Sequence, residues 1–352
     1  MAYTTIDDGS AHIQTALYTG DGNSTQAITN DGNSDLQPDF VWTKQRSHAV
    51  GHNLTDSSRG VSKALFSEDT SVEDTGGNIS SFNSDGFTTT NANRTNQSGR
   101  TFAGWQWKAN GGTRTTFTES GANPGGGHQA NTTAGFSIVD YTGTGSAGTV
   151  SHGLGAVPKV LIVKNRDATT DWAVYHRNAS SAGNDSYLEI NTQDAVATAG
   201  TVWNDTSPSS SVFTVGTNTK TNTDGEKYIA YCFAEIQGFS KFGSYTGNGD
   251  ADGPFVYTGF KPAWVMIKVS SGNTGGWDIY DSKRLTFNPN EEVLQANASS
   301  AEASDDAIDL LSNGFKIRNT TGNQNGSGNT HIYMAFAEHP FVSSKGVPVT
   351  AR

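Results

Sequence analysis

Apolar residues along the chain fall in short runs of four to eight, rich in Val, Ile, Tyr, Phe and Trp, with clusters of Gly, Asn, Asp and Ser between them. Runs of that length and content, bounded by turn formers, predict antiparallel strands. Val160-Leu161-Ile162-Val163 is apolar throughout, as expected of a strand covered on both faces. The best helical pattern is Ser300 to Leu311, where Ala301, Ala303, Ala307, Ile308 and Leu311 lie among carboxylates, and that stretch reads equally well as a loop. With so little helix, the pattern predicts an all-β chain of β-sandwich, jelly-roll-like units.

The strand pattern recurs three times. Tyr-Thr-Gly-x-Gly stands at Tyr18–Gly22, Tyr141–Gly145 and Tyr245–Gly249. Each is followed by a proline that opens an apolar run ending in lysine six residues on: Pro38 to Lys44, Pro158 to Lys164 and Pro262 to Lys268. Trp172 and Trp277 come next in copies two and three, with His52 near the equivalent place in copy one. A leucine (Leu65, Leu188, Leu294), a phenylalanine (Phe87, Phe213, Phe315) and an aromatic closing strand complete each copy. Self-similarity at this period is the mark of a repeat architecture. The copies predict three tandem, diverged sandwich units at 13–110, 134–243 and 244–341. An N-terminal segment (1–12), a Gly/Thr-rich linker (111–133, with Gly111-Gly112 and Pro124 to Gly127) and a C-terminal tail (342–352) complete the layout.

Composition narrows the class. Charged residues make up 16% of the chain, yet aromatics make up 10%, more than a disordered polar chain carries. The net charge of −11 opposes attraction to a phosphate backbone and argues against nucleic acid as a partner. The lone Cys232, inside the aromatic run Tyr231-Cys232-Phe233, excludes an intramolecular disulfide and reads as a packing residue. Neither a leader nor a run of 18 apolar residues is present, so membrane insertion is not expected.

Catalytic patterns are missing: the chain holds no Gly-x-Ser-x-Gly, His-Glu-x-x-His, phosphate-binding loop or zinc-type cysteine spacing. Neither an enzymatic activity nor a cofactor is therefore expected. Glu235 and Glu338, at equivalent ends of two closing strands, are the pair to weigh for glycoside hydrolysis, which needs two acids flanking one bond. Ala109 stands in their place in copy one, which favours a structural role. Asn248 to Gly253 resembles the start of a calcium loop through Asp250 and Asp252, but Gly259 replaces the closing Glu, so an Asx/Gly turn is the plainer reading. Lys44, Lys164 and Lys268 read as strand-end lysines that snorkel and discourage edge pairing. Trp172 and Trp277 read as repeat anchors, and Trp203, found in one copy only, as an exposed loop residue suited to binding.

Several strings resemble a repeat found in virion proteins of tailed bacteriophages, especially marine ones. They include Leu36 to Trp42, Asp56 to Gly60, Ser81 to Phe87, Trp105 to Ala109, Ala134 to Val139, Lys164 to Asp167, Gly238 to Gly243 and Phe336 to Phe341. The resemblance covers nearly the whole chain and implies a non-enzymatic virion structural protein, assembled in the host cytoplasm. It suggests a tail-fibre or tail-appendage subunit in host attachment, with a head decoration or tail-tube or adaptor-associated protein as the alternative and a polysaccharide depolymerase as a third. Implied partners are further copies of itself (a trimer by analogy), other virion proteins, and a host receptor or glycan. Recognition is expected where the copies differ, at His48, His52, Trp203, Asn323 and Asn325.

Overall fold

In the computed structural model, which describes residues 3–179 and 185–348, the chain is all-β. Each copy forms a sandwich. Its first sheet has the order opening strand, closing strand, Pro-to-Lys strand, tryptophan-position strand, every pair antiparallel. The opening strands are Ile13–Thr19, Phe136–Thr142 and Ser240–Thr246, and the closing strands are Thr101–Trp107, Lys227–Phe233 and Thr330–Pro340. The Pro-to-Lys strands are Phe40–Gln45, Val160–Asn165 and Phe260–Ser271, followed by Asn53–Asp56, Ala173–His176 and Trp277–Asp281. A smaller second sheet carries the repeat phenylalanines Phe87, Phe213 and Phe315. In unit three the two sheets join through Asn290–Gln295 into one eight-stranded sheet.

The three first sheets face one another around a common core. Side chains alternate along a strand, so Phe40 and Trp42 enter the shared core while Val41 enters unit one's own sandwich. Ile162 and Val163 divide in the same way in unit two. This double burial is why the Pro-to-Lys runs are apolar at almost every position. The units meet through rings: Phe40 stacks on Tyr231 at 4.3 Å between units one and two, Trp107 meets Trp264 edge-on at 5.5 Å between one and three, and Phe233 meets Phe336 at 5.9 Å between two and three. The arrangement is an internal three-fold ring, closed within one chain. Units one and three are also tied near residues 7 and 344, where the Asp7 carboxylate accepts the Ser344 amide at 2.6 Å.

The Tyr-Thr-Gly-x-Gly motif is a clasp. The tyrosine hydroxyls donate to the carbonyls of Thr95, Thr221 and Gln324 (2.8, 2.7 and 2.6 Å), and the next residues, Asn96, Asn222 and Asn325, accept the amides of Asp21, Thr144 and Asn248 (2.9, 2.8 and 2.9 Å). The first glycine lies so close that a Cβ would sit 2.4, 2.2 or 2.3 Å from a carbonyl oxygen of that loop. The second glycine has φ of +71°, +67° and +71°, a region costly for residues with a Cβ.

Two expectations for secondary structure fail. Ser300 to Leu311 is neither helix nor loop, for Ala303–Leu311 is a strand whose buried Ile308 and Leu310 recur with period two. The stretch 111–133 is not a free linker. Its Thr115–Phe117 and Gly125–Asn131 form a hairpin that extends unit two's sheet by pairing Gly125–Asn131 with the opening strand. Glycines there permit close packing: a Cβ on Gly126 would meet the Asp140 carbonyl oxygen at 2.1 Å.

Candidate functional site

The residues common to the three copies build the seams. From each unit an arm beginning at Leu65, Leu188 or Leu294 crosses to the neighbouring unit. There the backbone amides of Glu73, Val196 and Glu302 donate to the carbonyls of Arg166, Ser270 and Arg46 (2.9, 2.8 and 2.8 Å). The indoles of Trp172 and Trp277 donate to the residue after the neighbour's leucine, at Phe66 and Glu189 (both 3.0 Å). His52 makes the third contact, to Gln295, at 2.9 Å. The Trp42 indole, which can only donate, occupies the Nδ1 of His52 at 2.8 Å, so Nε2 carries the proton and donates to Gln295. His52 thus does the tryptophan's work, in neutral form; burial beside Lys44 pulls its pKa down to about 3.

Ion pairs reinforce two of the three seams. Arg166 pairs with Glu73 at 2.8 Å and Arg46 with Glu302 at 2.7 Å, while the third seam, between units two and three, has the neutral Ser270 and Val196 in those places. Deeper in, Tyr231 donates to Asp56 (2.8 Å) and Trp105 to Asp281 (3.0 Å), each carboxylate being held by a buried arginine, Arg59 or Arg284, at 2.5 Å. Met334 stands where Tyr231 and Trp105 do and has no proton to donate. His176 compensates with a contact to the Tyr333 carbonyl at 3.2 Å.

The three lysines are not edge guards. Their strand is interior to the sheet, and each side chain is fully buried with its ammonium on carbonyl oxygens: Lys44 on Gln45 and Ser300 (2.8 and 2.7 Å), Lys164 on Asn165 and Ala168 (2.6 and 3.3 Å), Lys268 on Gln193, Val269 and Gly275 (3.1, 2.9 and 3.0 Å). Burial lowers each ammonium to about 8, with nearby carboxylates opposing the shift. Replacing Lys268 by Met is expected to remove three buried hydrogen bonds, with the Gln193 carbonyl keeping the Gly275 amide, and cost about 1–3 kcal/mol. A denaturation midpoint equal to that of the parent protein would show that other donors take over.

Four of the five expected recognition residues are not free surface groups. His52 is sealed in a seam. Trp203 is 1% exposed, packed edge-on to Tyr175 inside unit two, because the short helix Gly200–Trp203 turns it inward. Asn325 is fully buried as the clasp asparagine, so it lies where the copies agree. Asn323 is half-buried, its carbonyl 3.1 Å from His331 Nδ1. Only His48 stays exposed, beside Arg100. Accordingly, Trp203→Ala should destabilise the protein by about 3 kcal/mol through the cavity it leaves, while His48→Ala should leave the melting curve unchanged, both read by calorimetry.

The carboxylates Glu235 and Glu338 open into different cavities. Glu338 lines one of about 270 Å³ between units one and three and pairs with Lys261 at 2.8 Å. Glu235 accepts the Phe242 amide at 2.9 Å and separates two cavities of about 430 and 360 Å³ at the seam of units two and three. Copy one has Ala109 at this place, and its seam is filled: Gln129 of the added hairpin bonds Ser57 and Ser58 (3.0 and 2.7 Å), and Asp39 takes the amides of Ala109, Gly111 and Gly112. The loop at Asp250 and Asp252 is an Asx turn, with the Asp252 amide on Asp250 (2.9 Å) and the Asp252 carboxylate on Lys316 (2.8 Å). Among the described residues no three His, Cys, Asp or Glu side chains gather as metal ligands, and no helix is long and apolar enough to cross a membrane.

What the sequence missed is therefore the open seam itself. The signal was present in the alignment of copies, where Ser270 and Val196 replace an ion pair and Glu235 and Lys159 replace Ala109 and Asp39. In comparison with known proteins, residues 8–340 match a family model that runs through all three repeats. No curated protein matches the chain.

Proposed function

Because the chain belongs to the family described as Domain of unknown function (DUF7483), its role has to be argued from geometry, and we propose a non-enzymatic bacteriophage virion protein, a tail-fibre or tail-appendage subunit in host attachment. The observation that carries this reading is the closed internal ring. Three interlocked sandwiches, tied by buried contacts at each seam, suit a rigid body that displays surface loops. Neutral Asn, Ser, Thr and Gly loops with interspersed aromatics suit adaptable recognition. The separation of Glu235 from Glu338 into different cavities argues against a depolymerase.

A three-fold body is also suited to a three-fold position in a larger assembly, which favours a head decoration as the second reading. Imaging the chain on its particle separates the two: density at the tail supports attachment, and density only on the head or inside the tail tube rejects it. Self-association into a homo-oligomer, a trimer included, would assemble rings and multiply weak contacts. Light scattering tests it, and a monomer at high concentration removes it.

A further inference from the structure

We propose that the open seam between units two and three is a saccharide-binding groove, an inference that rests on the attachment reading and names the chemistry of its ligand. The two cavities there, about 430 and 360 Å³, share Glu235 and Lys241 as a common wall. Both lie in the size range of small-molecule sites, which combine ring surfaces with a few converging polar groups. One end offers the rings of Tyr3 and Tyr257, tied by the Tyr3 hydroxyl, which donates to the Gly259 carbonyl at 2.8 Å and lies 3.4 Å from the Tyr257 hydroxyl.

Tyr257 is 53% exposed, and Phe255, two residues away on the same face of an edge strand, is 46% exposed. A ring held in that position gives the C–H face of a sugar an apolar surface, while its hydroxyl oxygen can still accept a bond from a sugar hydroxyl. Between the rings and the seam stand groups with the right polar character. Glu235 has one carboxylate oxygen on the Phe242 amide and lies 3.8 Å from Lys241. Within the described residues the Gln237 amide and the Lys159 ammonium make no side-chain hydrogen bond or ion pair, though both line these cavities.

Broken symmetry points to the same place. The seam of units one and two is filled by the hairpin and Gln129, and that of units three and one is braced by Arg46–Glu302 and by Lys283–Asp31 at 2.8 Å. The remaining seam lacks the bridging ion pair and keeps its acceptors and donors facing a cavity. Where three copies have otherwise converged on the same contacts, an unfilled polar groove with exposed rings is the feature that packing does not require.

The test uses the full chain on an array of bacterial polysaccharides, both neutral and uronic-acid-containing, followed by saturation-transfer NMR on any that bind. Binding that weakens about tenfold or more in Tyr257→Ala and in Gln237→Ala, and is kept in Phe287→Ala at an exposed site elsewhere, is the expected result. The proposal is overturned if the parent protein binds none of the polysaccharides, or if binding survives both groove substitutions. Melting curves of the variants confirm that each is folded. Imaging is a separate readout: a tail location with an empty array removes the groove and leaves attachment standing, whereas glycan binding by a protein found only on the head leaves the groove and removes tail attachment.

Discussion

Trp172→Ala and Trp277→Ala are each expected to destabilise the protein by about 3–5 kcal/mol, the range for removing a fully buried tryptophan. For a chain of this length that is a fall in melting temperature of roughly 4–7 °C, taking the usual unfolding entropy per residue. Both rings are fully buried or nearly so and bond a carbonyl of the neighbouring unit. The loss therefore combines a cavity with a lost hydrogen bond across a seam, each carbonyl keeping one longer bond to the amide of Asp69 or Thr192. A Trp→Phe change separates the terms: most of the ring volume stays, and the lost bond costs about 1–3 kcal/mol. The two sites should differ in consequence. The seam at Trp172 has the Arg166–Glu73 pair beside it and the seam at Trp277 has none, so Trp277→Ala should also loosen hydrogen-exchange protection in the arm 188–197, and Trp172→Ala much less in 65–74. Equal protection in both variants would reject a weaker third seam.

The repeat itself was legible because its residues have local causes. A Tyr-Thr-Gly-x-Gly clasp needs two glycines and a ring, and Pro-to-Lys strands buried on both faces cannot hide their apolar runs. Three units of sandwich type follow from these positions. Closure into a ring was not legible, because it depends on contacts between residues more than a hundred positions apart, such as Phe40 with Tyr231 and Trp107 with Trp264. Reading Lys44, Lys164 and Lys268 as surface residues failed for the same reason: the carbonyls that hold Lys44 and Lys268 include ones from another unit. Polar type is a poor guide to exposure when the acceptors arrive from elsewhere in the chain.

The candidate site failed in sequence for a related cause. Divergence between copies need not mark recognition: His52 diverges and keeps a contact that Trp172 and Trp277 make, with the Trp42 indole donating the bond that fixes its tautomer. Divergence that preserves a contact and divergence that opens a gap look alike in one dimension. Only the second kind, at Glu235 and Lys159, lines the groove between units two and three.

Acid should weaken the ring well before ordinary carboxylates are protonated. Burial is the main cause that holds His52 near 3 and His176 near 4, whereas both titrate near 6.5 when unfolded. Below pH 6.5 the unfolded chain takes up protons that the folded one refuses, so the stability these groups contribute is full above pH 6.5 and falls as the pH drops. Each fully buried histidine contributes about 1.4 kcal/mol per pH unit across that window. Asp278 acts with the opposite sign: burial raises it to about 6, so from pH 6 down to its unfolded value the folded chain binds the extra proton and about 1.4 kcal/mol per unit is returned. The balance is a net loss on the order of 1.4 kcal/mol per pH unit between 6 and 4, and the lowered pKa of His331, near 4, adds to it. Urea midpoints measured from pH 7 to pH 4 should fall steadily, and His52→Gln should flatten that slope even though it lowers stability at pH 7. A midpoint independent of pH over this range would mean that the folded chain takes up protons as readily as the unfolded one, and a His52 held neutral by burial would have to be abandoned.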